Sequence, residues 1–176
     1  MRRKEEMDML TGFPPIAAPD ARVLILGTMP SAISLQKEQY YGNGRNAFWP
    51  ILYALWDEPY EEDYVKRCRF LMERKIALWD VLAGCERPGS ADADIHNPKA
   101  NDFTTFAAGH PQIQHLFFNS VNAAVFYDRL VKPDPFSDIK RTTLPSTSPA
   151  RAMRFVDKVR LWLPVRRCLD KNRPKV

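Results

Sequence analysis

Two short loops of small and hydroxyl residues carry the chemistry that stands out in this chain. Residues 27–31 read Gly-Thr-Met-Pro-Ser after an apolar run, and residues 145–149 read Pro-Ser-Thr-Ser-Pro after Thr-Thr-Leu. Glycine and small hydroxyl residues let a backbone approach a phosphate closely and donate hydrogen bonds to it. Two such loops predict a phosphodiester bound from two sides. We predict that the phosphate contacts come from Gly27, Pro30, Ser31, Ser146, Thr147 and Ser148, with Arg87 and Arg151 beside them.

A ten-residue segment after the first loop concentrates aromatic rings, amides and one guanidinium. It spans residues 40–49 and reads Tyr-Tyr-Gly-Asn-Gly-Arg-Asn-Ala-Phe-Trp. Aromatic rings stack on flat heterocycles, and amides hydrogen-bond to the edges of bases. Aromatic residues before a helix are also common in cores, so the segment alone is compatible with a pocket or with a core.

Positive charge is concentrated at the end of the chain. The 176 residues carry a formal net charge of +5, and residues 151–176 contain nine Lys or Arg against Asp157 and Asp170. This basic block directly follows the second small-residue loop, which fits the backbone of a nucleic acid. The alternative is a solvated helix face followed by a tail, and we favour a solvated tail for residues 172–176.

Length and composition limit the class of protein. A chain of 176 residues, 45% of them hydrophobic, is long enough for one domain with its own core. No apolar run is long enough to cross a bilayer or to act as a secretory signal, so we expect a cytoplasmic protein without membrane contact. The three cysteines form no C-x-x-C pair and the three histidines lack ligand spacing, so we expect no metal and no cofactor.

Strand-like and helix-like patterns alternate along the chain. Apolar, β-branched or aromatic runs predict strands, and amphipathic periodicity predicts helices between them. This alternation predicts an α/β fold: a single domain with a central four-stranded, mainly parallel sheet flanked by helices on both faces. Ligands bind at the carboxyl ends of such strands, so both loops should lie at one edge. The strands are predicted at residues 22–26, 76–79, 115–119 and 140–144, and the helices at residues 46–56, 60–73, 102–108, 120–130 and 150–163.

The remaining segments are predicted to be peripheral. We expect residues 1–20 to form a loosely attached lead-in, residues 21–165 the α/β domain, and residues 166–176 a basic C-terminal tail. Residues 84–101 are rich in glycine, proline and acidic residues, which predicts an exposed loop at the same edge as the other two loops.

Five motifs, taken in order, resemble the uracil-DNA glycosylase superfamily and, more narrowly, its hypoxanthine-DNA (deoxyinosine) glycosylase branch. The resemblance covers about residues 22–153. It implies a monofunctional DNA glycosylase of base excision repair that flips a deaminated base, hypoxanthine above all, out of DNA and hydrolyses its N-glycosidic bond. It also implies DNA with deaminated bases as the partner, and we expect a monomer. The motifs lie at residues 27–31, 40–49, 77–82 (Ala-Leu-Trp-Asp-Val-Leu), 87–90 (Arg-Pro-Gly-Ser) and 144–150 (Leu-Pro-Ser-Thr-Ser-Pro-Ala).

The resemblance assigns the attacking water to Asn46. Related mismatch-uracil and thymine glycosylases use an Asn in the first loop, where this chain has Met29. The hypoxanthine branch instead relies on the Asn of its Arg-Asn-x-Phe-Trp segment. Asn46 would orient the water through its amide oxygen, with Asn43 as the second candidate. A helix N-cap is the competing role of Asn46, and the two roles can coexist.

The same resemblance suggests where the base would bind. Tyr41 or Phe48 would stack on the flipped base, although Phe48 is equally suited to a core, and Trp79 would end its strand at the edge of the pocket. Asp80 would accept a hydrogen bond from N1–H of hypoxanthine or would cap the turn after its strand. Asn119 would read the base or act as a turn residue. The predicted base-pocket residues are Met29, Tyr41, Phe48, Trp79, Asp80 and Asn119.

Three alternatives stay open at this point. One is a uracil- or xanthine-preferring glycosylase of the same superfamily. Another is a catalytically silent DNA-binding homologue, because Met29, Gly44 and Arg151 depart from the pattern of the superfamily or of the branch. The third is hydrolysis of free nucleosides, which would not need the basic end of the chain.

Overall fold

The structure is a computed structural model that describes residues 7–170, so residues 171–176 of the predicted basic tail lie outside it. The strands are Met9–Thr11 (β1), Val23–Gly27 (β2), Ile76–Asp80 (β3), Leu82–Glu86 (β4), His96–Ala100 (β5), His115–Phe118 (β6) and Lys140–Thr143 (β7). The α-helices are Ala32–Lys37 (α1), Phe48–Leu55 (α2), Tyr64–Glu73 (α3), Phe103–Gly109 (α4), Val121–Leu130 (α5) and Phe155–Asp170 (α6), and a 3-10 turn spans Asp92–Asp94.

Four strands form a parallel sheet in the order β3-β2-β6-β7. In its register Gly27 lies beside Asp80, Leu26 beside Phe118, and Phe118 beside Thr143. Strands β2 and β3 are buried along their whole length, as expected for parallel strands covered on both faces. The predicted α/β fold with a four-stranded sheet is confirmed, and all three pairings in this sheet are parallel. The carboxyl ends of its strands therefore meet at one edge.

Helices pack against this sheet in two groups. Helices α2 and α6 contact each other, with the ring centroids of Phe48 and Trp162 5.9 Å apart. In the other group, Phe103 of α4 lies 5.1 Å from both Trp79 of β3 and Tyr127 of α5, measured between ring centroids. Burying these large rings stabilises the scaffold that carries the loops at the sheet edge.

Helix ends differ from the predicted ones by several residues. Helix α3 begins after Asp63, whose side chain accepts a hydrogen bond from the Lys66 N–H, so the residues before it are not helical. Helix α6 begins later than predicted. It continues past residue 165, the predicted end of the α/β domain, and ends at Asp170. No helix in the described part of the chain is long and apolar enough to span a membrane.

A second sheet, antiparallel and ordered β1-β4-β5, corrects two expectations. Residues 84–101, expected to be an exposed loop, contain β5 and most of β4. Strand β1, within the expected lead-in, pairs with β4, and Ile16 forms a bridge with Leu78. Residues 7–20 are therefore attached to the fold by backbone hydrogen bonds. The sequence pattern does not reveal β5, because this strand is polar, largely exposed and interrupted by Pro98, which cannot donate a backbone hydrogen bond.

Candidate active site

A cavity of about 790 Å³ opens at the carboxyl edge of the parallel sheet. Both small-residue loops and the segment between Tyr40 and Asn46 form its wall. Residues far apart in sequence meet there because the strands that precede the two loops are parallel and lie in one sheet. Of the predicted site residues, the lining includes Gly27, Met29, Pro30, Ser31, Tyr41, Asn43, Asn46, Asp80, Asn119, Ser146, Thr147, Ser148 and Arg151.

The ends of β2 and β3 form the floor of the cavity. A Cβ atom on Gly27 would lie 2.5 Å from Oδ1 of Asp80 and 2.9 Å from the phenol oxygen of Tyr41, so a larger residue would collide with both. Asp80 is only 4% exposed, and its Oδ2 has no hydrogen-bond partner among the described residues. Burial, reinforced by the charge of Asp92 and opposed by that of Arg87, raises the pKa of Asp80 to about 7.

Asp92 brings a second acid into the cavity from the 3-10 turn between β4 and β5. Its Oδ2 accepts a hydrogen bond of 2.8 Å from the hydroxyl of Thr28 in the first loop. Burial raises the pKa of Asp92 despite this hydrogen bond. Asp92 was not among the predicted site residues, because it lies in a segment of small and acidic residues without a periodic pattern. A carboxylate whose partner lies 64 positions away in the chain leaves no local signal.

Asn119 follows β6 directly and joins the second loop to Tyr41. Its Nδ2 donates to the hydroxyl oxygens of Tyr41 and Thr147, both at 2.9 Å, and its Oδ1 accepts from the Thr147 N–H at 3.0 Å. Both donor hydrogens and one acceptor position of the amide are therefore occupied within the protein. In this arrangement Asn119 holds the cavity wall together.

Asn46 and Asn43 line the cavity from the loop before α2. The Oδ1 of Asn46 accepts a hydrogen bond of 3.0 Å from the Phe48 N–H, two residues further on, in a turn just before α2. The N-cap residue of α2 is Ala47, so the predicted N-cap role of Asn46 is wrong by one residue. An amide oxygen can accept two hydrogen bonds, which leaves one position for a water. The Ala47 N–H donates to the Thr147 carbonyl at 3.0 Å and ties this loop to the second small-residue loop. The Oδ1 of Asn43 accepts from the N–H two residues further on.

A buried lysine lies behind the second small-residue loop. Lys158 of α6 is 4% exposed and its Nζ donates to the Ser148 carbonyl at 3.2 Å. Burial lowers the pKa of Lys158, and the nearby Arg151 acts in the same direction. The contact between Lys158 and this loop could not be predicted, because the helical pattern of α6 does not show which of its side chains reaches the loop. The ammonium group places positive charge beneath the backbone that we predict to meet phosphate.

Three predicted site residues lie outside the cavity lining. Phe48 is fully buried and stacks beneath Tyr41, with ring centroids 4.0 Å apart, so it supports that ring and cannot itself meet a base. Trp79 packs among the core aromatics of α4 and donates its Nε1–H to a backbone carbonyl. Arg87 is buried and donates to the Pro30 carbonyl, so it braces the first loop from behind and does not face a phosphate.

Within residues 7–170, no group of three or more His, Cys, Asp or Glu side chains is close enough together to hold a metal ion. The chemistry that the described cavity offers is that of amides, hydroxyls, the buried acid Asp80, the partly exposed acid Asp92 and the guanidinium groups of Arg45 and Arg151. Such a set can hold a water, hydrogen-bond to a base and contact a phosphodiester.

Comparisons with known proteins agree with the fold and the cavity. No protein-family model matches the chain. A hypoxanthine DNA glycosylase of Methanosarcina acetivorans is 34% identical over 116 residues, which cover 65% of this chain and 73% of the relative. A hypoxanthine DNA glycosylase of Methanosarcina barkeri is 35% identical over 109 residues, which cover 61% of this chain and 69% of the relative.

A solved structure has the same architecture. The solution NMR structure of a Methanosarcina acetivorans protein, provisionally named a uracil DNA glycosylase, matches with a TM-score of 0.79 and 31% identity, covering 93% of this chain and 99% of that one. With the parallel sheet and the cavity at its edge, these relatives show that the chain is a DNA glycosylase that belongs to the hypoxanthine DNA glycosylase branch of the uracil-DNA glycosylase superfamily.

Proposed function

We propose that this protein hydrolyses the N-glycosidic bond of deoxyinosine in DNA and releases hypoxanthine, without a metal or organic cofactor. The observation that carries the proposal is the meeting of Asn46, Asp80 and the two small-residue loops in one cavity. Two relatives that share about a third of their aligned residues with this chain are named hypoxanthine DNA glycosylases, which supports the choice of base.

The cavity is suited to a nucleotide rotated out of a duplex. Its volume of about 790 Å³ lies within the range of small-ligand sites, and residues of both loops line it. The flipped base would enter toward Asp80 and the ring of Tyr41. The phosphodiester would stay at the loops, where Ser148 and Arg151 offer donors. The hydroxyl of Ser31 already donates to the Ser34 hydroxyl and caps α1.

Cleavage of the bond to the base makes the sugar cationic and the departing base negative. Neighbouring DNA phosphates help to stabilise the sugar, so the protein has to align a water and to stabilise the base. Asn46 would hold the water at C1′ through the acceptor position that its hydrogen bond from the Phe48 N–H leaves free. Asn43 is the second candidate for this role, since it lines the same wall.

Contacts with the DNA backbone would extend from the cavity onto α6. Arg151 lies in the cavity wall, and the Arg154 and Arg160 side chains are 80% and 72% exposed. Both of these also pair with Asp157, which moderates the positive charge of this helix. A monomer in the cytoplasm remains part of the proposal, and sedimentation and cell fractionation would check these two points.

The test is release of free base from matched oligonucleotides that contain one inosine, uracil or xanthine. We expect hypoxanthine to be released fastest, with alkali-labile sites appearing in step. Faster release of uracil or xanthine would change the assigned base but not the reaction. DNA binding that weakens with salt, with no base released from any oligonucleotide, would overturn the proposal in favour of a silent DNA-binding homologue. Cleavage of free deoxyinosine as fast as of DNA would indicate a nucleoside hydrolase.

A further inference from the structure

Asp80 has surroundings that suit a carboxylic acid better than a carboxylate. Its Oδ2 is buried without a hydrogen-bond partner among the described residues. An ionised oxygen in that position would lose its hydration without replacement, whereas a neutral carboxyl group loses much less. The backbone carbonyl of Asp80 is bound by Asn101, but this contact leaves the carboxyl group unaffected.

The groups around Asp80 do little to stabilise a negative charge there. Tyr41, from the loop before α2, brings its hydroxyl close to the same point near Gly27, but this hydroxyl accepts from Asn119 and makes no hydrogen bond to Asp80 among the described residues. Asp92, from the 3-10 turn, adds negative charge. Arg87, after β4, is the nearby cation, and it donates hydrogen bonds to backbone carbonyls and none to Asp80.

We propose that Asp80 enters the reaction as a carboxylic acid and protonates the purine as it leaves. This inference rests on the proposed function, because it needs a purine bound at the cavity floor. It also changes the role that the sequence suggested for Asp80, from accepting a hydrogen bond from the base to giving a proton to it. Asp80 is then a catalytic residue, and Asp92 is a positioning residue that acts through its charge.

In the proposed step, every bond that breaks is matched by a bond that forms. The C1′–N9 bond breaks and its electron pair passes to the purine, which takes the proton of the Asp80 carboxyl and leaves as neutral hypoxanthine. The water held by Asn46 forms the new C1′–O bond and releases one proton to solvent. The Asp80 carboxylate regains a proton from solvent, so the net reaction consumes one water and releases free base. Proton transfer to a leaving group by a positioned side chain contributes about 10²–10⁴-fold to rates.

This mechanism fixes how the rate should depend on pH. Because the pKa of Asp80 is raised to about 7 in the free protein, the acid form is present below that pH and disappears above it. The rate of the chemical step should therefore fall tenfold per pH unit above the pKa of Asp80 in the DNA complex. If Asp80 acted as an ionised acceptor, the rate would rise through the same range.

The experiment is single-turnover release of hypoxanthine from inosine-containing DNA between pH 5 and 9, with wild type, Asp80→Asn, Asp92→Asn and Asp94→Asn. Asn at position 80 keeps the shape and can donate a hydrogen bond, but it has no proton to transfer. We expect Asp80→Asn to be at least about 100-fold slower at pH 6 and to lose the alkaline fall. Asp92→Asn should move the alkaline fall to lower pH, because it removes the charge that keeps the proton on Asp80.

Asp94→Asn is the matched control. Asp94 lies in the same 3-10 turn but is exposed and does not line the cavity, so its profile should equal that of the wild type. A wild-type rate that rises or stays level from pH 6 to 8, or an Asp80→Asn profile with the same alkaline fall, would overturn the inference. Either result would leave the proposed function intact, because the wild type would still release hypoxanthine. The wild-type and Asp92→Asn profiles decide the matter even if Asp80→Asn folds poorly.

Discussion

The side chain of Asn119 holds the hydroxyl of Tyr41 at 2.9 Å, across 78 positions of sequence. Tyr41 has a φ of 52°, in the left-handed region that non-glycine residues rarely adopt. Its ring is fixed from below by Phe48 and at its tip by Asn119. The same amide makes two hydrogen bonds to Thr147, so one side chain positions both the Tyr41 ring, which we propose to meet the base, and the second loop.

Asn119→Ala should therefore destabilise the protein and weaken DNA binding together. The substitution leaves the buried N–H and hydroxyl of Thr147 without partners, and each such group costs about 1–3 kcal/mol. We expect a lower unfolding temperature by calorimetry and weaker binding of inosine-containing DNA by anisotropy. Tyr41→Phe is the matched control, since it removes one of the three bonds and should cause a smaller loss of stability. Equal effects of the two variants would contradict the shared role of Asn119.

Asn46 combines two roles that substitution can separate. Asn46→Ala removes the acceptor for the Phe48 N–H and the proposed water ligand, so we expect about 1 kcal/mol lower stability and a turnover lower by about two to three orders of magnitude. Asn46→Ser should restore part of the stability, because a Ser hydroxyl can accept from the N–H two residues further on, while turnover stays low since its hydroxyl reaches less far. Chemical denaturation and single-turnover assays would measure both. Near-normal turnover in Asn46→Ala, with Asn43→Ala inactive, would move the role to Asn43.

The parallel sheet that carries this site could be predicted, because its strands are visible in the local sequence pattern. Strands β2 and β3 are continuous buried runs, and alternation with helices predicts parallel pairing. Parallel pairing alone brings residues 27–31 and 145–149 to one edge. The second sheet could not be predicted, because β4 follows β3 after the single residue Val81 and β5 has no apolar alternation. Its pairing depends on partners elsewhere in the chain.

The division of labour within the cavity was harder to predict than its location. The residue types predict that Asn119 and Arg87 contact the ligand. In the structure, Asn119 hydrogen-bonds to Thr147 and Arg87 donates to the Pro30 carbonyl. Whether a polar side chain faces the ligand or braces a loop depends on which partner lies within 3 Å. The residue types of a segment do not show which partner lies nearby. The position of Asp92 in the cavity could not be predicted for the same reason.

The second small-residue loop should act mainly in binding. We expect Ser148→Ala to weaken DNA affinity more than it slows the bound substrate, because Ser148 lines the cavity and has no proposed contact with the reacting atoms. Lys158→Met should also weaken DNA affinity, although we expect no contact between residue 158 and DNA. The substitution removes the hydrogen bond that Lys158 donates to the Ser148 carbonyl. Binding titrations at several salt concentrations test both. Unchanged affinity of Ser148→Ala at every salt concentration would count against this role.

The buried acid at the cavity floor should make stability fall as pH rises. The folded protein keeps the Asp80 proton up to about pH 7, whereas the unfolded chain loses it near pH 4. Between these values the folded state binds more protons, so Asp80 lowers the free energy of unfolding as pH increases. Asp80→Asn does not titrate. We therefore expect it to become more stable relative to the wild type from pH 4 to 7, by on the order of a few kcal/mol, and to gain nothing further above pH 7.

Urea unfolding at pH 5, 6, 7 and 8 measures this difference, and the contributions of titrating groups that do not interact with Asp80 cancel in it. Asp94→Asn serves as the control, because Asp94 is exposed and the stability difference from wild type should stay level. A stability difference for Asp80→Asn that does not change between pH 5 and 7 would mean that Asp80 is ionised throughout this range. That result would also remove the support that the raised pKa gives to its role as an acid.

Gly27 and Gly44 offer a test of how tightly the cavity floor is built. Neither glycine has a positive φ, so substitution by Ala is limited by space alone. At Gly27 the new Cβ would meet Oδ1 of Asp80 at 2.5 Å, whereas at Gly44 it would meet nothing within 4 Å. Gly27→Ala should displace Asp80 and Tyr41, costing about 1–3 kcal/mol of stability and on the order of 100-fold in the rate of base release.

Gly44→Ala should keep wild-type activity and gain about 0.4–1 kcal/mol, because Ala narrows the conformations of the unfolded chain. Thermal unfolding and single-turnover release of hypoxanthine would measure both variants under the same conditions. Equal activity of Gly27→Ala and Gly44→Ala would mean that the base does not approach the Asp80 carboxyl as closely as proposed. A selective loss in Gly27→Ala with DNA affinity retained would instead locate the chemical step at the floor formed by the ends of β2 and β3.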